Sequence, residues 1–188
     1  MKAPFKPRRA PPPLSEAALQ DLALRYVSKY ATTRAKLRFY LARKLRERGW
    51  DDSREPDLET LAARFAELGY IDDAAYALGQ SRSLSSRGYG KRRLNQKLRA
   101  AGIDAEDRGE ADAHADGAAV EAALRFAERR RIGPFGSIEP DPRQREKWTA
   151  AMVRAGHDFN LARAISRLAP GAVIDPDKLR DICGVSEG

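Results

Sequence analysis

Two apolar residues and a glycine, each four positions after the last, come round three times along this chain and restrict its fold more than any other feature. Leu41, Leu45 and Gly49 are followed by Leu94, Leu98 and Gly102 at an offset of 53 residues, then by Trp148, Met152 and Gly156 at a further 54. Residues four apart share one face of an α-helix, and a glycine four beyond them can take the left-handed backbone that ends it. The pattern predicts three helices with the same stripe and the same stop. A period of this length means one small helical unit used in series, offering a surface that can lie along an extended partner.

Each unit reads as three helices. In the first, residues 14–70, Ser15 caps a helix with Leu19, Leu22, Tyr26 and Tyr30 on its stripe. Thr32 or Thr33 starts the next, which runs to Gly49, and Asp57 caps a third with Leu58, Leu61, Phe65 and Leu68 before Gly69. The second unit, residues 71–116, opens at Asp72-Asp73, acids suited to the positive end of a helix dipole. Gly79 and a serine-rich run blur the periodicity of its first helix. Gly88-Tyr89-Gly90 makes a turn into a helix with Leu94, Leu98 and Ala101. Residues 104–116 are where a third helix belongs, but they offer only alanines as apolar material with Gly109 among them; a short or frayed helix, or none, is expected. The third unit, residues 117–170, has an alanine-rich helix through Val120, Leu124 and Ala127, then a long loop from Gly133-Pro134 to Pro142. A helix with Trp148, Ala151, Met152 and Ala155 follows, and Asp158 caps a last one with Leu161, Ile165 and Leu168. Residues 1–13 read as an extended Pro-rich basic leader and 171–188 as a C-terminal tail. No stretch alternates with period two for long, so the fold class is all-α.

The partner is suggested by charge. Lys and Arg exceed Asp and Glu by eight in 188 residues, and a pI near 9.8 favours a polyanion such as nucleic acid. Position matters more than total. Residues 82–99 carry Arg82, Arg87, Lys91, Arg92, Arg93, Lys97 and Arg99 without an acid, and residues 34–48 carry seven cations against Glu47 alone. At 100° per residue, Lys36, Phe39, Arg43 and Arg46 point opposite Leu41, while Arg92, Gln96 and Arg99 point opposite Leu94. Tyr89 falls at the equivalent of Lys36. Either these are solvated helix faces, or they are equivalent basic ridges that meet a partner. Phe39 can stack on a base, fill a pocket on a protein or pack against the neighbouring unit.

Other classes of function find little support. His114 and His157 lack neighbouring ligands for a metal, and Cys183 is a single cysteine with no histidine near it in sequence. Gly88-Tyr89-Gly90-Lys91 lacks the glycine spacing, the Ser or Thr and the preceding strand of a phosphate loop. Asp51-Asp52 and Asp72-Asp73 read as helix starts. No catalysis and no cofactor are expected. No apolar run approaches the roughly 20 residues that cross a bilayer, so a cytoplasmic monomer without membrane contact is expected.

The run Arg34 to Gly49, Leu68-Gly69-Tyr70-Ile71-Asp72-Asp73, Arg87-Gly88-Tyr89-Gly90, and Lys97-Leu98-Arg99 through Gly102-Ile103 together resemble the RecX family. The resemblance covers residues 20 to 104 most closely and extends to 117–168 through the helix-Gly-helix pattern around Gly156. It implies tandem three-helix repeats forming a curved, elongated body. It further implies a non-enzymatic regulator that lies in the groove of the RecA recombinase filament on DNA, reduces its ATP hydrolysis and strand exchange, and limits filament growth. Carried over by position, the implied contacts are Arg43, Lys44 and Arg46, and Arg87, Tyr89, Lys91, Arg92, Arg93 and Arg99. An autonomous DNA- or RNA-binding helical protein is the alternative reading of the same ridges.

Overall fold

The computed structural model describes residues 12–183, with the side chain of Cys183 excepted; the leader up to residue 11 and the readings of Cys183 lie outside what it describes. The described residues form ten α-helices, two 3-10 turns and no β-strand. The chain divides into two compact units, Met1–Asp73 and Ala74–Gly188.

The first unit holds α1 (Glu16–Lys29), α2 (Arg34–Arg48) and α3 (Leu58–Glu67). Ser15, Thr33 and Asp57 cap them through their side-chain oxygens, which meets backbone donors that the first helical turn leaves open. Leu19 and Ala23, Leu37 and Leu41, and Ala62 and Phe65 face one another across a core that also takes in Leu14 and Ile71. Leu14 is held there by backbone: its N–H donates to Gly49 O at 3.0 Å and its carbonyl accepts from Asp51 N–H at 2.9 Å. On α3 the inward residues are Ala62 and Phe65, whereas Leu68, expected on the stripe, is 60% exposed at the helix end. Asp73 does more than start a helix. Its carboxylate is buried and accepts from Arg34 N–H at 3.1 Å and Arg34 Nε at 2.9 Å, so it also caps the N-terminus of α2.

The second unit runs through α4 (Asp73–Ser86), α5 (Lys91–Ala100), α6 (Gly109–Gly117), α7 (Ala119–Arg130), α8 (Pro142–Arg154), α9 (Phe159–Arg167) and α10 (Pro176–Cys183). The blurred stripe of α4 has a simple cause: its inward positions are Ala77, Ser81, Leu84 and Ser85, two of them hydroxyls. Ser81 Oγ donates to Ala111 O at 2.8 Å. Small residues on α4 meet the small Ala111 and Ala115 of α6, and this makes a regular nine-residue helix of a segment with no large apolar side chain. Gly109 stands at its first position, where it costs little. Residues expected to be a tail instead supply α10, anchored by buried Leu179 and by Arg180, 2.6 Å from Glu121 of α7.

The glycines of the repeat all have positive φ, +81° at Gly49, +68° at Gly102 and +98° at Gly156. Each predicted stop is therefore present. Gly156 also has a tertiary role. Gly90 N–H donates to Ala155 O and Arg92 N–H to Gly156 O, both at 3.1 Å, so carbonyls at the end of α8 meet open donors at the start of α5. A Cβ on Gly90 would lie 2.2 Å from Gly156 O, and one on Gly156 would lie 2.5 Å from Arg93 N. Beside this junction, His157 is 2% exposed and its Nε2–H donates to Gly88 O at 3.1 Å.

Candidate nucleic-acid interface

Leu94 and Leu98 fix the rotation of α5, and their burial turns its charged face outward. Arg92, Arg93, Lys97 and Arg99 are all exposed, and no carboxylate among the described residues lies within ion-pair distance of them. Arg82 and Arg87, on and just after α4, are exposed and equally without an acid. The Arg87 guanidinium is turned back to Ser83 O at 3.0 Å and lies 5.8 Å from the centre of the Tyr89 ring, with Arg93 at 5.3 Å. Tyr89, expected on the outer face, is half-buried and packs against both hydrophobic clusters of the unit. Arg87, Tyr89, Arg93, Gln96 and Lys97 line one surface depression.

Lys91 stands apart from its neighbours. Its Nζ is 2.5 Å from Asp116 Oδ2, so α6 neutralises the first cation of α5. Arg108 is held likewise, 2.5 Å from Asn95 Oδ1 and 3.4 Å from Asp112. These pairings from the acidic segment 104–116 reach Lys91 and Arg108 and leave the ridge from Arg92 to Arg99 uncompensated.

On α2 the burial of Leu37 and Leu41 places Phe39 outside, 72% exposed, with Arg43 and Arg46 also exposed. Lys36 is only half-exposed, in the first turn above the Thr33 cap. Compensation is stronger here than on α5. Glu47 lies 2.6 Å from Lys44 and 3.6 Å from Arg43, and the hydrogen bond from Lys44, with the nearby arginines, holds its carboxyl below the usual value of 4.5. Arg38, another cation of the same helix, pairs with Glu59 of α3.

Helical spacing does not reveal one further group of residues. Arg25, Tyr26 and Lys29 of α1, Tyr30 just after it and Tyr40 of α2 line a groove together with Arg43 and Lys44. The alternation of cation and aromatic from Arg25 to Tyr30 is visible in the sequence, but the same spacing places Tyr26 and Tyr30 on the apolar stripe. Among the described residues no group of three or more His, Cys, Asp or Glu could hold a metal ion, and no helix is long and apolar enough to cross a membrane.

Comparison with known proteins gives one family throughout. Residues 72–111 match the family model described as RecX, second three-helix domain. The chain is 32% identical over 180 residues to the regulatory protein RecX of Myxococcus xanthus, covering 87% of this chain and 90% of that protein. It is 30% identical over 150 residues to that of Agrobacterium fabrum, covering 78% and 80%. In fold it is similar to the crystal structure of RecX from Lactobacillus salivarius, with a TM-score of 0.57 at 21% identity over 79% of this chain and 92% of that one.

Proposed function

Since this chain belongs to the RecX family of regulatory proteins, we propose that it binds the RecA filament assembled on DNA and restrains the recombinase by occupying it. In this reading the protein limits ATP hydrolysis, strand exchange and filament growth, and so tempers recombinational repair, without chemistry of its own. The observation that carries it is the α5 ridge, where Arg92, Arg93, Lys97 and Arg99 are exposed with no carboxylate in reach among the described residues. Like charges this close repel one another, and a surface that keeps them gains when an anionic partner supplies the missing charge. Arg87, Arg82 and the α2 side chains Arg43, Lys44, Arg46 and Phe39 are further candidate contacts. Lys36, Tyr89 and Lys91 are weaker candidates, because Lys36 is only half-exposed, Tyr89 is partly taken into the core and Lys91 already has a counter-ion.

The test is ATP hydrolysis by RecA on single-stranded DNA with this protein added in increasing amounts. Hydrolysis should fall and stay low, and unchanged hydrolysis at a protein excess overturns the reading. The same uncompensated ridge also suits an autonomous nucleic-acid binder. That alternative is favoured if bare DNA is bound tightly with a steep salt dependence and the filament gains nothing over it.

A further inference from the structure

The groove between α1 and α2 has a composition that packing alone does not require. Tyr26 and Tyr40 stack at 4.2 Å between ring centres and 13° between planes, and both are accounted for as packing of α1 on α2. Tyr30 continues the row, 5.4 Å from Tyr26 at 51°, but it lies just past the end of α1 and is 50% exposed. None of the three phenol hydroxyls hydrogen-bonds to a described residue, so the polar rims of the rings remain open.

Cations surround this row. The Lys29 ammonium lies 5.3 Å from the centre of the Tyr30 ring. On the α2 side, Arg43 and Lys44 lie 5.8 and 6.0 Å from that of Tyr40, and these two share Glu47. Arg25 and Lys29 have no carboxylate within ion-pair distance among the described residues. They are four apart on one helix, a spacing at which like charges repel and which a bound anion relieves.

We propose that this groove is a stacking site for unpaired bases of a single nucleic-acid strand, with Tyr30 as the platform and Arg25 and Lys29 as the cations that hold the flanking phosphates. A half-exposed aromatic ring beside uncompensated cations suits a single strand, since every base has a π-face and every linkage a charge. Duplex DNA would satisfy the cations and leave the ring face without a partner, because its bases are already stacked. An acidic peptide would do the same. Its platform and phosphate-holding cations, Tyr30, Arg25 and Lys29, are not among the side chains proposed to meet the filament, so the site can stand or fall independently of filament binding.

The experiment uses the full chain without RecA and follows the fluorescence anisotropy of three labelled probes: an oligothymidylate, an abasic single strand of the same length, and a duplex. The protein should bind oligothymidylate on the order of tenfold more tightly than the abasic strand. Tyr30→Ala should remove that advantage while leaving abasic and duplex binding unchanged, and Tyr30→Phe should keep it. Tyr30→Leu, which retains apolar bulk without a ring, should behave as Tyr30→Ala, and an unchanged helical circular dichroism spectrum excludes unfolding as the cause. Equal affinity of the unaltered protein for oligothymidylate and abasic strand overturns the proposal. So does unchanged oligothymidylate affinity in both Tyr30→Ala and Tyr30→Leu, or displacement of the oligothymidylate by polyglutamate as readily as by unlabelled strand.

Discussion

Gly90 and Gly156 are held in place by what they lack. Their backbones approach so closely that a methyl group on either would meet main chain rather than a side chain that can swing away. Gly90→Ala should therefore destabilise the second unit by about 1–3 kcal/mol or more, read as a lower urea midpoint, whereas Gly79→Ala, with open space around it, should be neutral or mildly stabilising. His157 adds a pH dependence to the same junction. Burial pulls its imidazole down from 6.5 to about 4, although the Gly88 carbonyl favours the protonated ring. The unfolded chain thus takes up a proton between about pH 6.5 and pH 4 that the folded chain refuses. Stability from this residue is complete above the unfolded value and declines as pH falls to the folded one, by on the order of 3 kcal/mol in all. Urea midpoints across this range should drop for the unaltered protein and drop less for His157→Gln; identical pH profiles would show that other groups dominate. In sequence, His157 is only a histidine without ligands nearby, because Gly88 lies 69 residues away.

At the scale of helices, α2 and α5 carry similar sequences of cations but different electrostatics. Glu47 is built into α2 within one turn of Arg43 and Lys44. On α5 only Lys91 has a counter-ion among the described residues, and it comes from α6. Arg92→Glu with Arg99→Glu should abolish inhibition of RecA ATP hydrolysis while the helical circular dichroism spectrum is unchanged. Lys91→Gln should lower inhibition less than Arg93→Gln does, and the opposite ranking would argue against the uncompensated ridge as the binding surface. The helices with large apolar stripes are legible from spacing alone. The packing of α4 against α6 is not, since serine and alanine carry no periodic hydrophobic signal, yet their small size permits the close approach that buries Ser81 and Ala111. The helix at α10 escapes for a related reason: one leucine per two turns suffices when Arg180 finds a partner on α7.

For the whole molecule, an excess of eight positive charges makes every binding constant a function of salt. The logarithm of the affinity for single-stranded DNA should fall linearly with the logarithm of salt concentration, with a slope of about 0.7 per phosphate neutralised. Replacing Arg93 and Lys97 together by Gln should flatten that slope by about 0.7 for each phosphate that either side chain neutralises; a slope indifferent to both would place the phosphates elsewhere. Helix type, the glycine stops, the capping residues and the excess of charge can all be read from the chain because each depends on residues within one or two turns of one another. Which cations keep their charge available, which tyrosines are structural and which is open, and how the end of α8 meets the start of α5 depend on the folded arrangement. Those properties rest on distances between side chains tens of residues apart, and only the packed helices set such distances.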